Sequence, residues 1–271
     1  MTVEAPLLRE DVQHRQALDR EVLDRALRQA KAAAFGRGEF VGQESFVSAG
    51  QVVRLATAAG VGPRTTVLDL CCGVGGPGAL VARRLGCSYL GVDASAGAVE
   101  VARARAHRRC RFEQGTIPPV LHEPADVVLL LETVLAFPDK QGLFSGVAKA
   151  LRPGGRFAFT VEVGQPLTAA ERDLMPAADT VWPVPCGQLR GGLADAGLTV
   201  RWWEDWTSSH ATTVASLERA YTADCRRITA ALGEPSFDDL LTSHRLWTSW
   251  LRSGRVRKLA LVAQGPVGGV A

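Results

Sequence analysis

VLDLCCGVGGPG, residues 67–78, followed one helix later by LGVDAS, residues 90–95, is the stretch whose reading decides the fold. A short apolar strand, TVLDL, runs straight into a turn containing Gly73, Gly75, Gly76 and Gly78, and ALVARRLG then reads as a helix closed by Gly86. A glycine-rich turn of this kind lets a ligand approach the backbone, because Cβ atoms are absent, and aims helix N-terminal amides at the ligand's polar groups. CSYLGVDAS supplies a second strand that ends on Asp93, where a carboxylate can accept hydrogen bonds from both hydroxyls of a ribose.

Outward from this segment, strands and helices alternate. AGAVEVARARAHRR reads as a helix, RFEQG as a third strand, and ADVVLLLE as the continuous apolar run of a strand buried on both faces of a parallel sheet. A helix from about Leu143 to Leu151, a strand RPGGRFAFTVE, a helix from Gln188 to Ala196 and the strands LTVRWWEDW and RKLALVAQ complete the series. The alternation specifies an α/β fold, a Rossmann-like, seven-stranded, doubly wound sheet. Between the last two strands, Ser208 to Val256 is too long for a hairpin connection and has helical composition. It is expected to form a lid over the carboxyl edge of the sheet, with Gly164 to Pro185 as a second covering loop. Ahead of the sheet, Leu7 to Ala34 shows helical spacing, with Leu18, Val22 and Ala26 beside Leu23, Leu27 and Ala30. GRGEFVGQESF breaks that helix at Gly36, Gly38 and Gly42, and Val47 to Ala59 resumes one that ends at Gly60. The expected organisation is a helical N-terminal extension and cap (1–60), a core (61–207), a helical lid (208–256), and a final strand and tail (257–271).

Composition narrows the classes of function. The 271 residues, 46% hydrophobic and 22% charged, suffice for one substantial core. No apolar run approaches the ~20 residues of a membrane span, and MTVEAPLLREDVQHRQ lacks the basic-then-apolar layout of a signal peptide, so a soluble, cytoplasmic protein without a membrane partner is expected. A formal net charge of +3, without a dense Lys or Arg stripe, disfavours a nucleic-acid partner. Cys71, Cys72, Cys87, Cys110, Cys186 and Cys225 show no C-x-x-C pair and no matching His spacing, so no metal site is expected and the thiols are read as small buried hydrophobes.

VLDLCCGVGG, LGVDAS, VVLLLETVLAF and LRPGGRFAFT, in that order, resemble the motif series of class I S-adenosylmethionine (SAM) dependent methyltransferases, over about Val67 to Glu162. The resemblance implies SAM as cofactor, S-adenosylhomocysteine (SAH) as product, and 61–207 as the SAM-binding core. Asp69, Cys71, Gly73 and Gly75 fall on the family's D-x-G-x-G-x-G turn, with Cys71 where the first Gly usually stands. Asp93, followed by Ala94, falls on the ribose-binding acid. The family's Gly-Asp pair after the third strand is Gly115-Thr116 here, so the adenine contact passes to the Thr116 hydroxyl or a backbone amide, with Ile117 alongside. Leu131 and Glu132 fall beside the methionine part of the cofactor. GQESF, Gly42 to Phe46, is similar to the segment ahead of the first strand in the sterol and isoprenoid methyltransferase group, which implies Gln43 at the cofactor and Phe46 at the acceptor. Phe137 to Lys140 is similar to the loop after the fourth strand in those enzymes, and that group, with related natural-product enzymes, carries a helical insertion before its final strand.

Methyl transfer from a sulfonium is an in-line displacement, so the protein supplies alignment, plus a base where the acceptor must lose a proton. Glu132, Glu162, His210 and His244, at strand ends or in the expected lid, are the candidate bases, although a lone helical His is more often a capping or surface group. His14, His107 and His122 are read as solvated. Of the tryptophans, Trp202 and Trp203 alternate to opposite faces of the sixth strand, Trp250 joins the covering region, and Trp182 with Trp206 or Trp247 are candidates to line an apolar acceptor pocket or to face a cationic species.

The reading is a methyltransferase acting on a small-molecule acceptor, in natural-product biosynthesis. One alternative is the same fold recruited as a SAM-binding cyclase or other non-methylating enzyme. Another is an NAD-binding oxidoreductase, which the glycine turn and Asp93 allow, but neither Tyr89 nor Tyr221 is followed four residues later by Lys. A nucleic-acid amino-methyltransferase is disfavoured, because Glu132-Thr133 replaces the Asn/Asp-Pro-Pro-aromatic motif of that group.

Overall fold

The computed structural model describes residues 25–117 and 124–267. His14 and His122, and the Leu18, Val22 and Leu23 part of the first expected helix, lie outside the described residues. Strands β1 (Thr66–Leu70), β2 (Ser88–Asp93), β3 (Cys110–Gln114), β4 (Ala125–Leu130), β5 (Leu151–Gly164), β6 (Thr199–Asp205) and β7 (Val256–Gln264) form one seven-stranded sheet in the order β3-β2-β1-β4-β5-β7-β6. This is the Rossmann-like fold the alternation specifies. β1 to β5 pair in parallel, whereas β7 returns antiparallel between β5 and β6. The alternation of strands and helices did not reveal that reversal, because only the partner strands fix a strand's direction.

Period-two alternation explains why the strands read as unbroken apolar runs. Val67, Val127, Leu129, Ala158 and Val262 face one layer, with α2 (Ala49–Ala58), α3 (Gly76–Leu85) and α4 (Ala96–Ala104). Leu68, Leu70, Val128, Leu130, Phe157 and Phe159 face the other, with α5 (Lys140–Ala150) and α7 (Cys186–Asp195). Helices on both faces leave no water-facing side for polar residues to mark. α5 starts three residues earlier than the apolar spacing suggests, because the Asp139 side chain accepts the Gly142 N–H at 2.8 Å and caps it.

The chain leaves β1 toward β2 and β3 on one side and places β4 on the other, so a crevice opens at the carboxyl ends of β1 and β4. Three helices cover it from the stretch between β6 and β7: α8 (Thr207–Ala223), α9 (Cys225–Leu232) and α10 (Glu234–Ser253). The first described helix, residues 25–34 (α1), packs Ala26 and Ala30 against Leu217, Tyr221, Ile228 and Leu241 of these helices. The second covering segment is more ordered than a loop: it contains α6 (Ala169–Leu174), which a Thr168–Glu171 capping box starts. No described helix is long and apolar enough to cross a membrane. All six cysteines are free thiols, and Cys186 and Cys225 are exposed rather than buried as expected.

Candidate active site

At the carboxyl ends of β1 and β4, the crevice contains a cleft of about 260 Å³ lined by Gln43, Phe46, Asp69, Cys71, Gly73, Leu131 and Glu132, among others. Its floor is the turn between β1 and α3. Cys71 has φ +58°, a left-handed backbone that favours glycine, at the position where the resemblance puts a Gly. Burial, with the carboxylates of Asp93 and Asp69 adding to it, lifts the Cys71 thiol to about 11. Gly73 has φ +55°, and a Cβ there would meet no protein atom within 4 Å, whereas a Cβ on Gly76 would come 2.1 Å from the Val41 carbonyl. The first glycine leaves room for a ligand and the second lets the loop before α2 lie on the turn.

Asp93 ends β2 with one carboxylate oxygen accepting the Gly73 N–H at 2.8 Å and the other accepting the Ser95 N–H at 2.9 Å. Asp69 is buried and accepts the Tyr89 hydroxyl. Burial raises its pKa to about 7; the Tyr89 hydrogen bond offsets part of that rise and Asp93 adds to it. Ala94 and Thr116, both exposed, and Ile117 lie at the ends of β2 and β3 beside this turn. Gln43 differs from its expected role in what its amide does. The side-chain oxygen accepts from Val41 N–H at 2.6 Å, and the nitrogen donates to the Glu39 and Val47 carbonyls at 2.9 and 3.1 Å. Gln43 clasps its own loop while facing the cleft.

Beyond the turn, the site is built from side chains. Glu132, at the end of β4, has φ +61°, a strained conformation for a non-glycine residue. Its N–H donates to Thr160 Oγ1 at 2.7 Å, and its carboxylate accepts the Phe46 N–H at 2.5 Å, which ties the loop to the sheet. Lys258 Nζ lies 2.7 Å from Glu132 Oε1 and 2.5 Å from Glu162 Oε1. Glu162 on β5 and Lys258 on β7 are directly opposite each other, so antiparallel pairing alone brings them together. Burial alone would pull the Lys258 pKa down, but the two carboxylates outweigh it and hold the ammonium above its usual range. His210 Nε2 is 3.3 Å from Glu132 Oε1. Burial and then the Lys258 charge lower the His210 pKa to about 3, Glu162 offsetting only part, so the ring is neutral.

Glu132, Glu162 and His210 offer ligand atoms within 4.8 Å of one another, a spacing that could hold a metal. The cation in contact with both carboxylates is Lys258.

Three of the four candidate bases therefore converge, and His244 lies across the Phe46 ring from them. Phe46 stands edge-on to His210 at 5.2 Å and to His244 at 5.4 Å between ring centres. Both histidines are buried, not surface groups. The tryptophans separate. Trp247 packs with Trp250, Met175 and Val181 against Phe46 and Leu135. Trp182 donates its indole N–H to Asp179 O at 2.7 Å and stacks under Arg172. Trp206 belongs to the α2–α4 face of the sheet and donates to Glu204 at 3.0 Å, so the structure does not bring it to Trp182 or Trp247. Sequence reading missed Lys258 and Thr160. The available signal was one Lys in RKLALVAQ and one Glu in FTVEV, single charges in apolar strands that must find each other if buried.

Residues 67–155 match a family described as a methyltransferase domain. Methyltransferase GfsG of Streptomyces halstedii is 34% identical over 99 residues, 34% of this chain and 36% of that protein. Sterol 24-C-methyltransferase ERG6 of Saccharomyces cerevisiae is 32% identical over 111 residues, 38% of this chain and 29% of that protein. The matched part thus spans about a third of these curated relatives. The crystal structure of the cyclase SpnF superposes with TM-score 0.71 at 18% identity, covering 93% of this chain and 96% of that one, and shares the fold.

Proposed function

We propose that the chain is a SAM-dependent methyltransferase acting in the cytoplasm on a small-molecule acceptor, in natural-product biosynthesis, a reading that the match of residues 67–155 to a methyltransferase-domain family supports. The observation that carries the reading is the juxtaposition of a turn suited to a nucleoside with a buried, proton-accepting cluster at one cleft. The turn fits the cofactor. Each Asp93 oxygen keeps lone-pair capacity for a ribose hydroxyl beyond its backbone bond, and the space over Gly73 is open. Asp69, Cys71, Gly73, Gly75 and Leu131 would hold the methionine side, with Ala94, Thr116 and Ile117 at the adenine. Bound there, SAM supplies an electrophilic methyl group on a sulfonium.

The chain's own part is alignment and proton removal. Phe46 and Trp247 wall the acceptor side, with Trp182 at its rim. Glu132 and His210 form the base. With Nε2–H facing Glu132, His210 presents Nδ1 as the proton acceptor, and the carboxylate stabilises the imidazolium that results. Burial and the Lys258 charge keep the His210 ring neutral, which leaves its lone pair free but makes it a weak acceptor, so proton removal is coupled to methyl transfer, when the methylated group becomes acidic.

The test is mass-spectrometric detection of methyl transfer from isotopically labelled SAM to phenols, amines, carboxylic acids and isoprenoid diphosphates, alongside calorimetric titration with SAH. Transfer to one class confirms the reading. Absence of SAM and SAH binding sinks it, and binding without turnover of SAM points to the non-methylating alternative.

A further inference from the structure

Among the described residues, Ser45 Oγ, Glu132 Oε1, Glu162 Oε2, His244 Nε2 and Thr248 Oγ1 are buried side-chain atoms without a hydrogen-bond partner. Glu132 Oε1 is already faced by Lys258 Nζ at 2.7 Å and His210 Nε2 at 3.3 Å, which leaves the other four as the atoms in want of a partner. Native interiors rarely leave such atoms orphaned, and here they gather in one region. Ser45 precedes Phe46, whose ring stands between His210 and His244, and Thr248 follows His244 by one helical turn on α10.

The chemistry of the set is one-sided. His244 Nδ1 lies 2.7 Å from the Leu240 carbonyl, which can only accept, so Nδ1 carries the proton and Nε2 is a bare lone pair. Glu162 Oε2 also only accepts, while Ser45 and Thr248 can do either. The cations nearby are engaged: Lys258 by Glu132 and Glu162, Lys31 by Glu44, and Lys140 by the Val134 carbonyl. Such a set calls for donors and repels anions. Beside it, Leu135, Met175, Val181 and Trp247 form an apolar wall with Phe46. Lys31 and Arg105 line a different cavity of about 180 Å³ between α1 and α4, where Lys31 is paired with Glu44.

Building on the methyltransferase reading, we infer that the acceptor carries an alcohol or amine on an apolar body, which displaces Phe46, donates to His244 Nε2 and accepts from the Thr248 or Ser45 hydroxyl, and that it carries no phosphate or carboxylate at that end. Such a group satisfies His244 and a neighbouring hydroxyl, and an anion would face the His244 lone pair and the nearby carboxylates.

The full chain saturated with SAH is titrated by calorimetry with naphthol, naphthylmethylamine, naphthyl phosphate, naphthoate and methylnaphthalene, which share one apolar body. Naphthol or the amine is expected to bind at least ~10-fold more tightly than the phosphate, the carboxylate and the methyl control. Thr248→Val should weaken the favoured probe by about 3- to 10-fold, leave SAH affinity unchanged and not lower Tm, since removing an orphaned hydroxyl costs the free protein nothing. Phosphate or carboxylate binding as tight as the alcohol and amine overturns the proposal. So does parity with the methyl control, no probe binding, or a Thr248→Val variant with lowered Tm and unchanged probe affinity. The SAH titration alone reports separately on the cofactor reading.

Discussion

On one side of the cleft, the β1–α3 turn and the end of β2 form the proposed cofactor surface from residues 69–95, mostly out of backbone: left-handed Cys71, Gly73 and Gly75, and N–H groups tied to Asp93. On the other, Phe46, Glu132, Glu162, His210, His244 and Lys258 meet from distant parts of the chain as buried side chains. A site made of backbone is stabilised by the local conformations that also make it. A site made of buried charge depends on every partner being present. The first half should therefore lose ligand when damaged, and the second should lose stability.

Lys258→Met should show the largest effect. It leaves Glu132 and Glu162 facing each other without a cation, and removing one partner of a buried pair costs about 3–5 kcal/mol. Urea denaturation should show this as a lower midpoint, and adding Glu162→Met should recover part of it. If Lys258→Met is as stable as the parent, the acceptor half does not depend on its charges and the contrast between the halves fails.

Asp93→Ala is the counterpart in the cofactor half. Loss of the ribose hydrogen bonds should weaken SAH binding by about 2–3 kcal/mol in calorimetry, with a smaller change in the denaturation midpoint. Unchanged SAH affinity would remove Asp93 from the cofactor site.

This contrast also accounts for what could be read from sequence. The turn and Asp93 were legible because a left-handed backbone and a strand-end acid leave marks within a few residues, and the parallel strands because burial on both faces removes polar residues from them. Cys71 shows that a left-handed position can be occupied by a residue whose type does not announce it. Glu162 and His210 could be nominated one at a time, but their convergence needed the antiparallel register of β7, which sets Lys258 opposite Glu162. Composition makes Trp206 as good a candidate for the pocket as Trp247, but it lies in the layer against α2–α4, where Glu204 holds its indole.

The halves also carry opposite pH dependences. Burial raises Asp69 to about 7, from an unfolded value near ~3.9, so its contribution to stability is fully present below about pH 4 and is lost as pH rises to 7. Burial lowers His210 to about 3, from about 6.5 when unfolded, so its contribution is fully present above about pH 6.5 and is lost as pH falls toward 3. Between about pH 4 and 6.5 the two slopes oppose each other. Measured against the parent by urea denaturation at several pH values, Asp69→Asn should gain relative stability as pH rises through this window, and His210→Gln should gain it as pH falls. Differences from the parent that do not change with pH would mean that these groups titrate in the folded chain as they do in the unfolded one.

Ser48→Ala should have the smallest effect and tests the loop that joins the halves. Ser48 caps α2 directly after the Gln43–Phe46 segment, accepting the Gln51 N–H at 3.3 Å, while the Gln51 side chain bonds back to Ser48 N–H at 3.0 Å and on to Ser209 of α8 at 3.0 Å. Losing the cap should cost about 1 kcal/mol of stability. Gln43 holds the loop through the Glu39 and Val47 carbonyls independently of this cap, so SAH affinity should change less than about twofold by calorimetry. A tenfold loss of SAH affinity would place the loop, and Phe46 with it, in the cofactor half, and the boundary between the two halves would then run through Glu132 instead of along the Phe46 ring.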